Sequence, residues 1–215
     1  MSVRVVLVDD EAMFRAGISM VVDSQPDLEV VGQADDGAEA VEVVEQTRPD
    51  VVVMDIQMPG LDGVAATRAL GERFGEACPR ILVLTTFDLD EAAAAAIEAG
   101  ASGFLLKAAD PAFLLAAIRA VASGSQVVAA GATRQLWERF RARPTRPPGP
   151  EYDELTERER QILRRAAEGL SNAEIAEAEF LATGTVKTHV SRILSKLGLR
   201  DRVQLVVYAY EHGLI

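Results

Sequence analysis

The chain has 215 residues, 49% of them hydrophobic, with one cysteine, two histidines and a formal net charge of −11. That length suits one large or two ordinary packed domains, and Cys78 with His189 and His212 provides neither an internal disulfide nor a zinc-binding cluster. No run approaches the roughly 20 uncharged apolar residues of a membrane span, and the N-terminus lacks a signal pattern, so a cytoplasmic protein is expected.

From Val3 to about Gly124, short β-branched runs alternate with stretches of helical period. Strands are predicted over Val3 to Val8, Leu28 to Gln33, Val51 to Asp55, Ile81 to Thr85 and Gly103 to Leu106. Between and after them come helices over Ala12 to Asp23, Ala38 to Gln46, Val64 to Phe74, Asp90 to Ala99 and Pro111 to Ser123. Five βα units predict a doubly wound, five-stranded parallel sheet with helices on both faces, forming a first domain over residues 1–123. This part is strongly acidic, with 8 Lys/Arg against 21 Asp/Glu.

Residues 124–150 read as a linker, with 5 Lys/Arg against 1 Asp/Glu. A connector helix is predicted around Thr133 to Arg141, with Trp137 and Phe140 as packing residues, before Pro144, Pro147, Pro148 and Pro150 impose an extended spacer. Residues 151–215 read as a smaller all-α domain. Its helices are expected near Glu157 to Ala167, Asn172 to Glu177, Thr185 to Leu197 and Arg202 to Glu211. Thr156 with Glu159, and Ser171 with Glu174, have the spacing of capping boxes.

Chemistry gathers at the strand ends. Asp9 and Asp10 follow the first strand, Asp55 ends the third, Thr85 ends the fourth and Lys107 follows the fifth. Each has an ordinary structural role open to it, as a turn or cap aspartate, a strand terminus or a solvated lysine. In a parallel sheet, however, all these ends share one rim, where ligands bind. Three carboxylates so close repel unless a cation joins them, and hard oxygen ligands suit Mg²⁺. The set therefore predicts a phosphoryl site with Asp55 as nucleophile. Mg²⁺ would be held by Asp10, Asp55 and the Gln57 carbonyl with Asp9 in support, while Lys107 and Thr85 take the remaining phosphoryl oxygens.

The segments Val8-Asp9-Asp10-Glu11, Met54-Asp55-Ile56-Gln57-Met58-Pro59-Gly60-Leu61-Asp62-Gly63, Leu84-Thr85-Thr86 and Gly103-Phe104-Leu105-Leu106-Lys107 resemble the receiver domain of two-component response regulators. The resemblance implies phosphoryl transfer from a phosphohistidine of a sensor histidine kinase to Asp55, followed by slow hydrolysis. It also implies a switch in which Thr85 moves to the phosphate and the ring of Phe104 turns inward.

In the helix over Thr185 to Leu197, Val186, Val190, Ile193, Leu194 and Leu197 share one face, with Lys187, Thr188, Ser191, Arg192 and Lys196 off it. Residues 183–202 hold five Lys/Arg against Asp201, and a basic helix of this kind fits a DNA major groove as well as a merely solvated surface. The stretch from about Leu155 to Leu205 resembles the LuxR-type helix-turn-helix, and with the receiver it is similar to the NarL/FixJ family. That resemblance implies base contacts from Lys187, Thr188 and Ser191, phosphate contacts from Arg192 and Lys196, and a homodimer on double-stranded promoter DNA. His189 is expected to pack or touch the backbone. Two positions depart from the family pattern. Glu179 replaces an apolar residue and must turn outward or find a partner, and Ala182 replaces a capping hydroxyl, for which Thr183 is the substitute.

Two other functions compete. An aspartyl-phosphate hydrolase needs a second Asp two residues after the nucleophile, where this chain has Gln57, so only self-phosphorylation and slow self-dephosphorylation are expected. A regulator responding to a small ligand leaves the acidic, Thr and Lys set without a role.

Overall fold

The computed structural model describes residues 2–86, 91–124, 127–128 and 146–215, which divide into two compact units, Met1–Leu136 and Trp137–Ile215. The first contains strands β1 (Val3–Val8), β2 (Leu28–Ala34), β3 (Val51–Asp55), β4 (Arg80–Thr85), β5 (Gly103–Leu106) and β6 (Val127–Val128). Its helices are α1 (Ala12–Asp23), α2 (Gly37–Thr47), α3 (Gly63–Phe74), α4 (Glu91–Glu98) and α5 (Pro111–Ala122). All strands are parallel, in the order β2-β1-β3-β4-β5-β6. The sixth strand was not expected; two valines paired with Gly103 and Phe104 at the sheet edge are too short to signal a strand by periodicity. The predicted connector helix, with Trp137 and Phe140, lies outside the described residues.

Period-two alternation sets the layers. Val5, Leu7, Val51, Val53, Leu82, Leu84 and Leu105 face Ile18 and Val22 of α1 and Leu114, Leu115, Ile118 and Val121 of α5 in one core. Their alternates Val6, Val8, Val52, Met54, Ile81, Val83 and Phe104 are equally buried and point to the opposite face of the sheet. A sheet buried on both faces explains the near-continuous apolar runs.

The strand order reverses between β1 and β3, and this switch point opens a crevice at the carboxyl ends. Val8 pairs with Met54, so Asp9 and Asp10 leave β1 level with Asp55. The loop after Asp55 then folds back tightly. Gly63 N–H donates to the Ile56 carbonyl at 3.0 Å, and Asp62 caps α3 by accepting from Ala65 N–H. A Cβ on Gly63 would stand 1.9 Å from the Asp55 carbonyl oxygen, so only glycine fits there.

The second unit contains α6 (Pro150–Asp153), α7 (Glu157–Ala167), α8 (Asn172–Ala178), α9 (Thr183–Leu197) and α10 (Arg202–Glu211). Both expected capping boxes form, at Thr156–Glu159 and Ser171–Glu174. Ile162, Leu163, Ile175, Val186, Val190, Ile193, Leu197 and Leu205 are among its core residues. Hydrogen bonding in this unit begins upstream of residue 151. Arg146 N–H donates to the Glu211 carbonyl at 2.9 Å, His212 Nδ1 lies 3.0 Å from the Arg146 carbonyl, and Tyr208 hydroxyl donates to Glu151 at 3.2 Å. Among the described residues no helix is long and apolar enough to cross a membrane.

Gly63→Ala is expected to destabilise the first domain by about 2 kcal/mol, because the added methyl must displace backbone rather than a flexible side chain. The midpoint of urea unfolding measures this; an unchanged midpoint would show that the loop absorbs the methyl.

Candidate functional site

Sheet register brings the predicted rim residues together. Thr85 pairs with Leu106, and Lys107 N–H donates to the Thr85 carbonyl at 2.7 Å, which aims the lysine back across the strand ends. Its Nζ lies 2.8 Å from Asp9 Oδ2 and 2.9 Å from Asp55 Oδ2, with the lysine side chain only 7% exposed. Glu11 adds a third carboxylate at 3.1 Å, and the Phe14 ring lies beneath the ammonium at 4.7 Å. Arg15 donates to the Asp9 carbonyl. Glu11, Phe14 and Arg15 had no assigned role in the sequence. Their positions, Glu11 at the N-cap of α1 and Phe14 and Arg15 on the turn that follows, within reach of the β1 end, are the signal that would have found them.

The electrostatics follow from burial. Desolvation pushes the Asp55 carboxyl above its usual range, with the Asp9 charge adding to it and the bond to Lys107 opposing it. Burial alone would lower the Lys107 ammonium, but its bonds to Asp9, Asp55 and Glu11 outweigh that and raise it above the ordinary lysine value. Lys107 therefore stays charged and holds Asp55 in place.

Asp9, Asp10 and Asp55 each bring one carboxylate oxygen within 4.8 Å of the other two. With Glu11 also on Lys107, four carboxylates share one ammonium, so negative charge is in excess at the strand ends. Asp9 Oδ2 takes the ion pair with Lys107 but no well-directed hydrogen bond, so it keeps capacity for a cation. Hard oxygen donors with an excess of negative charge fit Mg²⁺. Gln57 N–H donates to Asp55 Oδ1 at 3.3 Å, placing the Gln57 main chain beside the cluster. Thr85 is buried at its strand end, and the ring of Phe104 is fully buried in this structure.

In the second unit, α9 presents Lys187, Thr188, Ser191 and Arg192 to solvent, and Thr188 hydroxyl donates back to the Gly184 carbonyl at 3.0 Å. Lys196 is placed otherwise. Its Nζ bonds the Glu159 carboxylate at 2.7 Å and the Glu154 carbonyl at 3.0 Å, so its charge is committed to the fold. Arg202 is likewise internal, donating to Asn172 Oδ1 at 2.8 Å and to the Leu170 carbonyl, and burial lowers its guanidinium below the ordinary value. The basic excess counted along this stretch is therefore only partly presented to solvent. His189 is half-buried on the same helix.

Both departures from the family pattern are resolved. Glu179 has partners, accepting from Arg165 Nε at 3.0 Å and Arg158 at 2.7 Å, and these bonds, Arg165 first, hold its carboxyl below the usual range. A second Arg158 nitrogen donates to the Glu179 carbonyl at 2.7 Å, capping the end of α8. Thr183 does not cap α9. Ala182 occupies the N-cap, without any side-chain bond, and Thr183 is the first helical residue. Between them Phe180 adopts φ +54°. This left-handed conformation costs a residue with a Cβ about 1 kcal/mol.

Comparison with known proteins agrees with this geometry. Residues 5–119 match the response regulator receiver domain, and residues 153–209 match the bacterial regulatory proteins of the luxR family. The chain belongs to the response regulators of two-component systems, with a receiver and a LuxR-type DNA-binding domain. It is 39% identical to the transcriptional regulatory protein LiaR of Bacillus subtilis, over 99% of both chains. It is 38% identical to the response regulator protein VraR of Staphylococcus aureus over the full length of both. Among solved structures it is similar to the response regulator ChrA of a heme-sensing two-component system, at 39% identity and a TM-score of 0.54, over 100% of this chain and 99% of that one.

Lys196→Ala leaves the buried Glu159 carboxylate without its cation and is expected to destabilise the second domain by about 2 kcal/mol at neutral pH. The bond to Lys196, opposing burial, holds Glu159 below its ordinary 4.5, so the stabilisation is complete above that value. It fades as pH falls through the folded value, where Glu159 takes a proton, and the difference between variant and parent shrinks below about pH 4.5. Urea unfolding across this range checks the trend; a pH-independent difference would sink it.

Proposed function

We propose that a sensor histidine kinase phosphorylates Asp55, and that the phosphorylated protein pairs with a second copy and binds two half-sites in promoter DNA. The observation that carries this is the Lys107 ammonium between Asp9 Oδ2 and Asp55 Oδ2, at 2.8 and 2.9 Å. An Asp55 oxygen forms the new bond to phosphorus as the N–P bond of the phosphohistidine breaks, and the departing imidazole nitrogen keeps the electron pair. Lys107 then meets a phosphoryl oxygen in place of the carboxylate, with the Thr85 hydroxyl on another. Mg²⁺ held by the Asp9, Asp10 and Asp55 carboxylates and the Gln57 carbonyl would neutralise charge on the transferring group.

Hydrolysis of the aspartyl phosphate is slow in this scheme, because the Gln57 side-chain amide cannot accept a proton from an attacking water. The protein is thus a switch that phosphorylates itself from a donor and resets itself, not an enzyme turning over metabolites. Phe104 and Thr85 relay the change. In the second domain Lys187, Thr188 and Ser191 read base edges while Arg192 meets phosphates. A kinase donor and a promoter target both support a cytoplasmic location.

Incubation with acetyl phosphate and Mg²⁺ is expected to add one phosphoryl mass to the protein and to tighten binding of a selected duplex about tenfold, an ordinary coupling energy. Asp55→Asn or chelation of divalent cations should abolish both. Equal labelling of Asp55→Asn would refute the assignment.

A further inference from the structure

We infer that Phe180 is a DNA-contacting residue, laying its ring against the apolar edge of the duplex, a deoxyribose or a thymine methyl, beside the recognition helix. At 95% exposure it is the most exposed large apolar side chain among the described residues. Its backbone is held at φ +54°, a conformation that glycine or asparagine adopts with less strain. The conformation itself ends α8, with Phe180 N–H donating to the Glu177 carbonyl at 3.4 Å and Leu181 N–H to the Ala176 carbonyl at 2.8 Å, but glycine would make the same bonds with less strain, and the exposed ring adds nothing to the core. A large apolar ring, exposed where glycine serves the fold better, points to a contact outside the chain.

The ring is held out by design of its surroundings rather than by a loose tip. Glu179, just before it, is clamped through its carboxylate by Arg158 and Arg165 and through its carbonyl by Arg158. Leu181, just after it, donates its N–H to the Ala176 carbonyl at 2.8 Å and packs against the core. Three Cα-to-Cα steps, at most about 11 Å, separate Phe180 from Thr183 at the start of α9. Lys187, Thr188 and Ser191 are exposed on the next turns of that helix. Apolar contact with a thymine methyl is an established mode of base recognition, and a phenylalanine can make it.

This rests on α9 binding duplex DNA, and the test separates the two. Full-length protein treated with acetyl phosphate selects its own site from a random pool of duplexes about 30 base pairs long, enough for two half-sites. Wild type, Phe180→Gly and Phe180→Leu are then titrated with that duplex by fluorescence anisotropy over a range of salt, and each is melted. Phe180→Gly is expected to melt no lower than wild type yet bind about fivefold more weakly, with Phe180→Leu recovering most of the loss. The slope of affinity against salt should not change, since an apolar contact releases no counterions. Replacing site thymines by uracil abolishes the difference between wild type and Phe180→Gly if the ring meets a methyl and preserves it if the ring meets a sugar; either supports the contact. Equal binding by Phe180→Gly overturns the assignment, as does equal binding with lower transcription in vitro, which would place a protein partner on the ring. A weaker Phe180→Gly that also melts lower, without recovery by Phe180→Leu, overturns it in favour of a structural role. Failure of wild type to enrich any duplex overturns DNA binding itself.

Discussion

The Lys107 ammonium binds three strand ends together, and the first domain is arranged around that fact. Two buried carboxylates from β1 and β3 and a lysine following β5 meet across the switch point of the sheet. Removing these charges from water is costly, and their mutual attraction repays it only with good geometry. The geometry comes from elsewhere in the molecule: parallel register levels Asp9 with Asp55, the Thr85 carbonyl fixes the lysine backbone, and Gly63 lets α3 close against the Asp55 peptide. A buried pair of this kind contributes little to stability compared with apolar packing. It does hold the Asp55 carboxylate in a fixed place, the lysine charge opposing the upward push of desolvation on it.

The second domain handles charge differently. Glu159 serves in one capping box and in an ion pair with Lys196, and Glu179 ties α8 to two arginines of α7. Cations that look available to a polyanion are thus partly consumed by internal carboxylates. What remains on the exposed face of α9 is a short, sparse set, with Lys187 and Arg192 as its cations. Affinity for duplex DNA then depends less on bulk charge than the basic composition of the helix suggests. Specificity has to come from positioned contacts.

Much of this was legible in the sequence because strong periodicity survives folding. The five longer strands and the helices expected within the described residues appear within a residue or two of their expected bounds, and Asp9, Asp10, Asp55, Thr85 and Lys107 converge as the parallel rim requires. What was not legible depends on tertiary distance. β6 is too short to show a period, and α6 is a single turn opened by Pro150 within a proline-rich stretch. Lys196 and Glu159 are 37 residues apart, so no local pattern announces their pairing. Ala182 shows the opposite limit: a missing hydroxyl suggested that its neighbour would cap, but Thr183 is already helical, and packing rather than capping starts the helix.

The hydrogen bonds between Arg146 and the end of α10 bear on how the two domains are taken apart. A fragment cut at the proline-rich boundary would discard the residue whose main chain bonds Glu211 and whose carbonyl lies against His212. The last helix would then lose a partner that composition assigns to the linker. The composition boundary of this chain and the start of its second folded unit are therefore at different residues.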